Sequence, residues 1–107
     1  MKSRTLRVLV CGAAGRMGRA VRAEIDALPG FSFAGGVDAR PAPGTEGFAS
    51  LERLLPSADA VVDFSVPAAA CACAAACARA KKPFITGVTG FSKKQLAALK
   101  ALGRRIP

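Results

Sequence analysis

Short hydrophobic runs alternate with longer segments of helical periodicity along this chain. The runs that predict strands, each largely apolar and only a few residues long, cover residues 6–11, 31–37, 60–64 and 83–87. The segments that predict helices cover residues 16–28, 48–55, 67–80 and 92–102. Regular strand–helix alternation is typical of a parallel sheet with helices on both of its faces. The pattern therefore predicts an α/β domain, with Ile106 and Pro107 indicating the start of a further strand.

Local signals refine two of the predicted helices. Ser65 is expected to cap the helix that has Pro67 in its first turn. The alanine-rich composition of that helix suggests that it packs very close to the sheet. Ser92 and Gln95 have the spacing of a capping box and predict the start of the last helix.

Three glycines form a G-x-x-G-x-x-G loop directly after the first predicted strand. Gly12 permits a sharp turn, Gly15 lets backbone N–H groups approach a pyrophosphate, and Gly18 lets the helix pack on the strand. Asp38 follows at the end of the second strand, where a carboxylate accepts hydrogen bonds from ribose hydroxyls. The spacing favours a dinucleotide site in a Rossmann-like domain. A tight turn without a ligand and an ordinary loop carboxylate are the alternative interpretations.

Composition and charge narrow the class of protein. The chain has 107 residues, 51% of them hydrophobic, which supports a single domain over residues 1–107 with a real core. It has no apolar run of about 18 residues and no convincing signal peptide, so we expect a cytoplasmic protein without membrane association. The formal charge of +9 is dispersed, and nucleic-acid binding is not expected. Arg16, Arg19 and Arg22 concentrate part of this charge near a helix start that can bind an anion.

The four cysteines indicate buried thiols rather than a metal centre. Cys11 lies in a predicted strand, and Cys71, Cys73 and Cys77 lie in the alanine-rich helix. They form no C-x-x-C pair, and the chain has no histidine. We therefore expect no metal site.

Two further motifs lie at the ends of the third and fourth predicted strands. These are V-V-D-F-S-V-P, which begins at Val61, and G-V-T-G-F-S, which begins at Gly87 and is followed by Gln95. Together with G-A-A-G-R-M-G and the acidic residue at position 38, they span nearly the whole chain. In this combination the chain resembles the dihydrodipicolinate reductases, also called 4-hydroxy-tetrahydrodipicolinate reductases, of bacterial lysine biosynthesis.

The resemblance implies an oxidoreductase that uses NADH or NADPH. Such an enzyme reduces 4-hydroxy-tetrahydrodipicolinate to tetrahydrodipicolinate in lysine and diaminopimelate biosynthesis. The implied cofactor-binding residues are Gly12, Ala13, Ala14, Gly15, Arg16, Met17, Asp38, Gly87, Val88 and Thr89. Val88 departs from the family, which usually has threonine there, so a hydroxyl contact would be lost while the main chain is retained.

The family's catalytic signature, a histidine pair followed by a lysine, does not occur in these 107 residues, which contain no histidine. The resemblance therefore implies no catalytic residue here and a dinucleotide-binding domain that is incomplete at its C-terminal end. It also implies that later strands and a second domain binding the small dicarboxylate substrate lie outside this chain, that the chain alone is inactive, and that full-length members are homo-oligomers. A stand-alone dinucleotide-binding module without catalysis is the alternative hypothesis.

The choice between NADH and NADPH depends on residues 38–40. The Asp38 carboxylate can accept hydrogen bonds from both ribose hydroxyls and repels a 2′-phosphate unless a guanidinium neutralises it. In relatives that use NADPH well, an arginine directly follows the acidic residue. Here Ala39 takes that place, and Arg40 points to the opposite side of an extended segment unless a turn brings it back. Arg40, with Arg16 as a second candidate, is the expected 2′-phosphate contact, and we expect NADH to bind at least as tightly as NADPH.

Overall fold

Four parallel strands and the helices between them make up the computed structural model, which describes residues 5–40 and 42–103. The elements are β1 Leu6–Cys11, α1 Arg16–Ala27, β2 Phe31–Val37, α2 Leu51–Leu54, β3 Ala60–Asp63, α3 Pro67–Ala80, β4 Phe84–Thr86 and α4 Lys93–Gly103. Short 3-10 turns, Phe48–Ser50 and Leu55–Ser57, flank α2. The predicted Rossmann-like α/β fold is confirmed. The strand predicted to start at Ile106 lies outside the described residues.

The sheet has the strand order β2-β1-β3-β4, with β1 paired in parallel to both β2 and β3. Side chains alternate along β1, so Val8 and Val10 pack with Ile25 of α1, whereas Leu9 and Cys11 join the core under α2 and α3. Helices thus cover both faces of the sheet, as predicted. All four strands are parallel, and their carboxyl ends meet at one edge, where open α/β sheets bind ligands.

Small side chains let α3 lie directly against the sheet. Six of its alanines and cysteines are buried, namely Ala70, Cys73, Ala74, Ala76, Cys77 and Ala78. The predicted cap of this helix is wrong in detail. The N-cap residue is Val66, with Pro67 in the first turn, because the Ser65 hydroxyl donates to the carboxylate of Asp63 instead.

The C-terminal end of α3 and the N-terminal end of α4 both have the hydrogen bonds that are typical of helix termini. At the end of α3, Lys81 adopts a left-handed conformation with φ 56°, and Lys82 N–H donates to the carbonyl of Cys77 at 2.9 Å. At the start of α4, the N–H of Ser92 donates to Gln95 Oε1 at 2.8 Å, and the N–H of Gln95 donates to Ser92 Oγ at 3.1 Å. The predicted capping box is confirmed. Within the described residues, no helix is both long and apolar enough to cross a membrane.

Candidate functional site

Two of the three loop glycines are required by the close approach of main chain. Gly12 has φ +77°, and a Cβ there would lie 2.7 Å from the carbonyl carbon of Phe64. A Cβ on Gly18 would lie 2.0 Å from the carbonyl oxygen of Gly12, so α1 can approach β1 only with glycine at this position. Gly15 differs, because its φ is ordinary and its Cβ would make a normal 3.5 Å contact. The roles predicted for Gly12 and Gly18 therefore agree with the structure.

The N-terminus of α1 is open to a ligand. Its N-cap is Gly15, which offers no side-chain cap, and the first turn contains no acidic residue. The first N–H groups of a helix lack intrahelical acceptors and carry the positive end of the helix dipole. Arg16 and Met17 in this turn are both exposed. This end of α1 can therefore bind an anion.

The sequence places Arg22 near this anion site, but the structure does not. Its guanidinium carbon lies 4.0 Å from the ring centroid of Phe33, and its Nε lies 3.6 Å from a carboxylate oxygen of Asp26. Both contacts hold the side chain beside the middle of the helix. Of the three arginines, Arg16 is the first residue of α1, and Arg19, three residues later, is also exposed.

Asp38 is joined to the glycine loop by a direct hydrogen bond. The N–H of Ala14 donates to Asp38 Oδ2 at 3.0 Å, and the N–H of Arg40 donates to Asp38 Oδ1, also at 3.0 Å. The second bond spans two residues and closes a bend at Ala39. Of the two alternatives for Arg40, an extended segment or a turn, the structure shows the chain bending at Ala39, where the carboxylate accepts from the N–H of Arg40.

Two adjoining clefts lie at the carboxyl edge of the sheet. The first cleft, about 170 Å³, is lined by Gly12, Gly15, Asp38, Ala39, Phe48, Phe64, Ser65, Val66 and Ala69. The second cleft, about 320 Å³, is lined by Met17, Phe64, Ser65, Val66, Pro67, Gly87, Val88 and Thr89. Both share residues 64–66, so together they form one elongated surface from Asp38 to Thr89.

Seven of the sequence-predicted residues border these clefts, namely Gly12, Gly15, Met17, Asp38, Gly87, Val88 and Thr89, whereas Ala13, Ala14, Arg16 and Arg40 do not. Ala13 points into the protein instead. Its side chain is 4% exposed and belongs to the core beside α1, and its N–H donates to the carbonyl of Val37 at 3.1 Å. Ala13 therefore fixes the glycine loop to the core and to the end of β2, and its side chain does not face the clefts. Gly87 borders the second cleft, where a Cβ would lie 2.5 Å from the ring of Phe64.

Residues 64–66, to which the sequence assigned no cofactor role, lie at the centre of the surface. The signal for them was present, since V-D-F-S closes the third strand at the ligand-binding edge. Directly before them, Asp63 is completely buried and accepts hydrogen bonds from Ser65 and Thr86. It is the one charged side chain among the buried residues that the structure describes.

A group of thiols lies behind this surface. The Sγ atoms of Cys11 and Cys73 and a carboxylate oxygen of Asp63 are all within 4.8 Å of one another. A hydrogen bond between the Cys11 and Cys73 thiols, together with burial, raises the pKa of Cys11, and burial raises the pKa of Cys77 to about 12. A metal ion would have to displace thiol protons and compete for an already hydrogen-bonded carboxylate. That the chain has no metal site stays a prediction.

Comparison with known families decides the identity of the fold. The family model described as "Dihydrodipicolinate reductase, N-terminus" matches residues 6–107. The chain belongs to this family. The 4-hydroxy-tetrahydrodipicolinate reductase of Gluconacetobacter diazotrophicus is 35% identical over 107 residues, which cover 100% of this chain and 41% of the relative. That of Laribacter hongkongensis is 33% identical over 115 residues, covering 94% and 43%. This reductase N-terminal domain thus spans about two fifths of the length of these curated relatives.

Solved structures show the same fold. A dipicolinate-bound dihydrodipicolinate reductase from Paenisporosarcina sp. TG-14 matches with a TM-score of 0.75 and 19% identity, over 92% of this chain and 43% of that one. The protein RSP, in complex with β-NAD⁺ and operator DNA, matches with a TM-score of 0.61 and 16% identity, over 94% and 58%. At these identities the likeness shows the fold alone. The family is one of oxidoreductases, as the sequence predicted.

Proposed function

We propose that this chain binds NADH or NADPH along the two clefts, as the cofactor-binding part of a reductase. The reaction is the reduction of 4-hydroxy-tetrahydrodipicolinate to tetrahydrodipicolinate in lysine and diaminopimelate biosynthesis. One observation carries the proposal: the glycine loop, Asp38 and residues 87–89 border two clefts that share residues 64–66. A ligand with two ends and a charged centre suits such an elongated surface.

The residues of the first cleft fit the adenosine and diphosphate part of the cofactor. The main chain of Gly12 and Gly15 borders this cleft without intervening side chains, beside the open N-terminus of α1, which favours a diphosphate. Each carboxylate oxygen of Asp38 accepts one backbone N–H, and a carboxylate has about four acceptor sites. Asp38 therefore retains the capacity to accept hydrogen bonds from ribose hydroxyls.

The second cleft fits the nicotinamide end. Met17 and Phe64 provide apolar surface for a ring, and residues 87–89 provide main-chain groups for a carboxamide. When bound, the dihydronicotinamide supplies a hydride to the substrate. The chain's own residues bind and orient the ring and exclude water from one of its faces. Proton donation and binding of the dicarboxylate substrate we assign to the part of the longer relatives that this chain does not cover.

Calorimetry with NADH and NADPH on the wild type and Asp38→Ala tests the proposal. We expect the wild type to bind NADH at least as tightly as NADPH, since the carboxylate faces the ribose hydroxyls. The substitution should weaken NADH by about 1–3 kcal/mol, because ribose hydroxyls lose their acceptor, and should affect NADPH less.

Asp26→Ala is the matched control for this experiment. Asp26 is an exposed carboxylate on α1 that pairs with Arg22 and borders neither cleft. It should leave both affinities unchanged. Absence of NADH and NADPH binding to the wild type, or an equal loss in both variants, would refute the proposed site. A tenfold or larger preference for NADPH would refute the role given to Asp38 and would assign the phosphate to Arg40 or Arg16.

A further inference from the structure

A buried carboxylate behind the second cleft has a role that the cofactor contacts do not explain. Asp63 is 0% exposed, and none of the ion pairs among the described residues involves it. An ionised carboxylate removed from water costs free energy unless hydrogen bonds satisfy it. The positions of its donors therefore indicate what this side chain does.

The donors are Ser65, which lines the second cleft, and Thr86, the last residue of β4, which directly precedes cleft residues 87–89. Asp63 Oδ1 accepts from the N–H of Ser65 at 3.0 Å and from the Ser65 hydroxyl. Oδ2 accepts from the Thr86 hydroxyl at 2.8 Å. Thr86 Oγ1 in turn accepts from the N–H of Val88 at 3.1 Å. One carboxylate thus holds the loop after β3 directly and the loop after β4 through a hydroxyl relay.

The donors and acceptors of this relay are arranged in one direction, from the N–H of Val88 to the Asp63 carboxylate. The hydroxyl of Thr86 donates its one proton to Asp63 and uses a lone pair to accept from Val88. An acceptor must therefore stand at position 63 on the side facing Thr86 and also on the side facing Ser65. A carboxylate meets both requirements, whereas an amide presents an NH₂ group on one side.

We propose that Asp63 and Thr86 are positioning residues that hold the main chain of residues 87–89 for the nicotinamide end of the cofactor. This inference rests on the proposed function of the second cleft. Val88 has no side-chain hydroxyl, so polar contacts at this position depend on where the main chain lies. The relay ends on the N–H of Val88 and so acts on that main chain.

The test compares NADH with ADP-ribose, which has the same adenosine and diphosphate but no nicotinamide. Thr86→Val removes the hydroxyl and keeps the size, and Thr86→Ser keeps the hydroxyl and is the matched control. We expect Thr86→Val to weaken NADH by about 5- to 30-fold, the effect of stranding one buried polar group. ADP-ribose affinity should stay within about twofold of the wild type. Thr86→Ser should restore NADH binding and the change in nicotinamide fluorescence that accompanies it.

Asp63→Asn supplies a second, nearly isosteric variant that breaks the relay from its other end. It should weaken NADH by more than it weakens ADP-ribose, and ADP-ribose should also lose some affinity because Asp63 holds Ser65, which borders both clefts. Unchanged NADH affinity in Thr86→Val and Asp63→Asn would overturn the inference, with the proposed function intact. An equal loss of NADH and ADP-ribose would also overturn it, since the residues would then be only structural. Failure of the wild type to bind either ligand would instead refute the proposed function and, with it, this role.

Discussion

Replacing Gly18 by alanine measures how strictly the packing of α1 on β1 depends on a missing side chain. The added Cβ would lie 2.0 Å from the carbonyl oxygen of Gly12 and 2.7 Å from the Cα of Ala13, which are both main-chain atoms. Inside a helix, alanine is otherwise favoured over glycine by about 1 kcal/mol. A loss of stability must therefore come from the clash.

The magnitude of that loss follows from the distances. Carbon and oxygen normally approach to about 3.3 Å, so α1 has to move away from the loop by roughly 1 Å. Overpacking of this kind costs about 1–3 kcal/mol, and no side-chain rotation relieves a clash with main chain, so the upper value applies. After the gain in helix propensity, we expect a net loss of about 2 kcal/mol. In a domain of this size that corresponds to a melting temperature lowered by roughly 10 °C.

Thermal and urea unfolding followed by circular dichroism provide the assay, and Gly15→Ala provides the control. A Cβ on Gly15 would make only a 3.5 Å contact, so the unfolding free energy of this variant should fall by no more than about 1 kcal/mol, the cost of alanine at an N-cap. Gly15→Ala should also lower the affinity for NADH, because it adds a methyl group at a residue that lines the first cleft. A Gly18→Ala variant that melts at or above the wild-type temperature would show that the short contact does not determine the position of the helix.

Two further predictions concern α3. Lys81 has φ 56°, so Lys81→Gly should raise the unfolding free energy in urea by about 0.5–1 kcal/mol, and an equal gain from Lys82→Gly would contradict this explanation. The pKa of Cys77 is raised from 9.0 to about 12, so above pH 9 the unfolded chain releases a proton that the native state keeps. The unfolding free energy should therefore fall as pH rises from 9 towards 12, by at most about 1.4 kcal/mol per pH unit for this thiol. Urea unfolding at a series of pH values should show a shallower slope for Cys77→Ala than for Cys71→Ala, and equal slopes would count against it.

The strands and helices could be predicted because their signals are local. From Val8 to Cys11 the central strand β1 is buried on both faces and forms a continuous apolar run, and the capping box of α4 needs only residues 92–95. The cap of α3 could not be predicted in the same way. Ser65 has the right side chain for a cap, but the carboxylate of Asp63 competes successfully for its hydroxyl.

The same distinction, between features with a local sequence signal and features without one, applies to the candidate site. The glycine loop was predictable because the spacing of its glycines reflects a turn and a helix contact that neighbouring residues create. The role of Phe64 was not, since its ring meets Gly87 only when β4 pairs with β3. Likewise, the bond from the N–H of Ala14 to the Asp38 carboxylate joins residues 24 apart and has no local signal, whereas the bend at Ala39 follows from a local bond between Asp38 and the N–H of Arg40.

Phe64 imposes two different kinds of constraint on the glycines around it. Gly12 faces the carbonyl carbon and oxygen of residue 64, which every amino acid possesses, whereas Gly87 faces ring atoms that an aromatic side chain supplies. Over evolutionary divergence, position 12 therefore stays closed to larger residues whatever stands at position 64. Position 87 becomes open once the ring is replaced by a smaller side chain. Substitutions at positions 64 and 87 are therefore coupled, since loss of the ring removes the side-chain atoms that a Cβ at position 87 would meet.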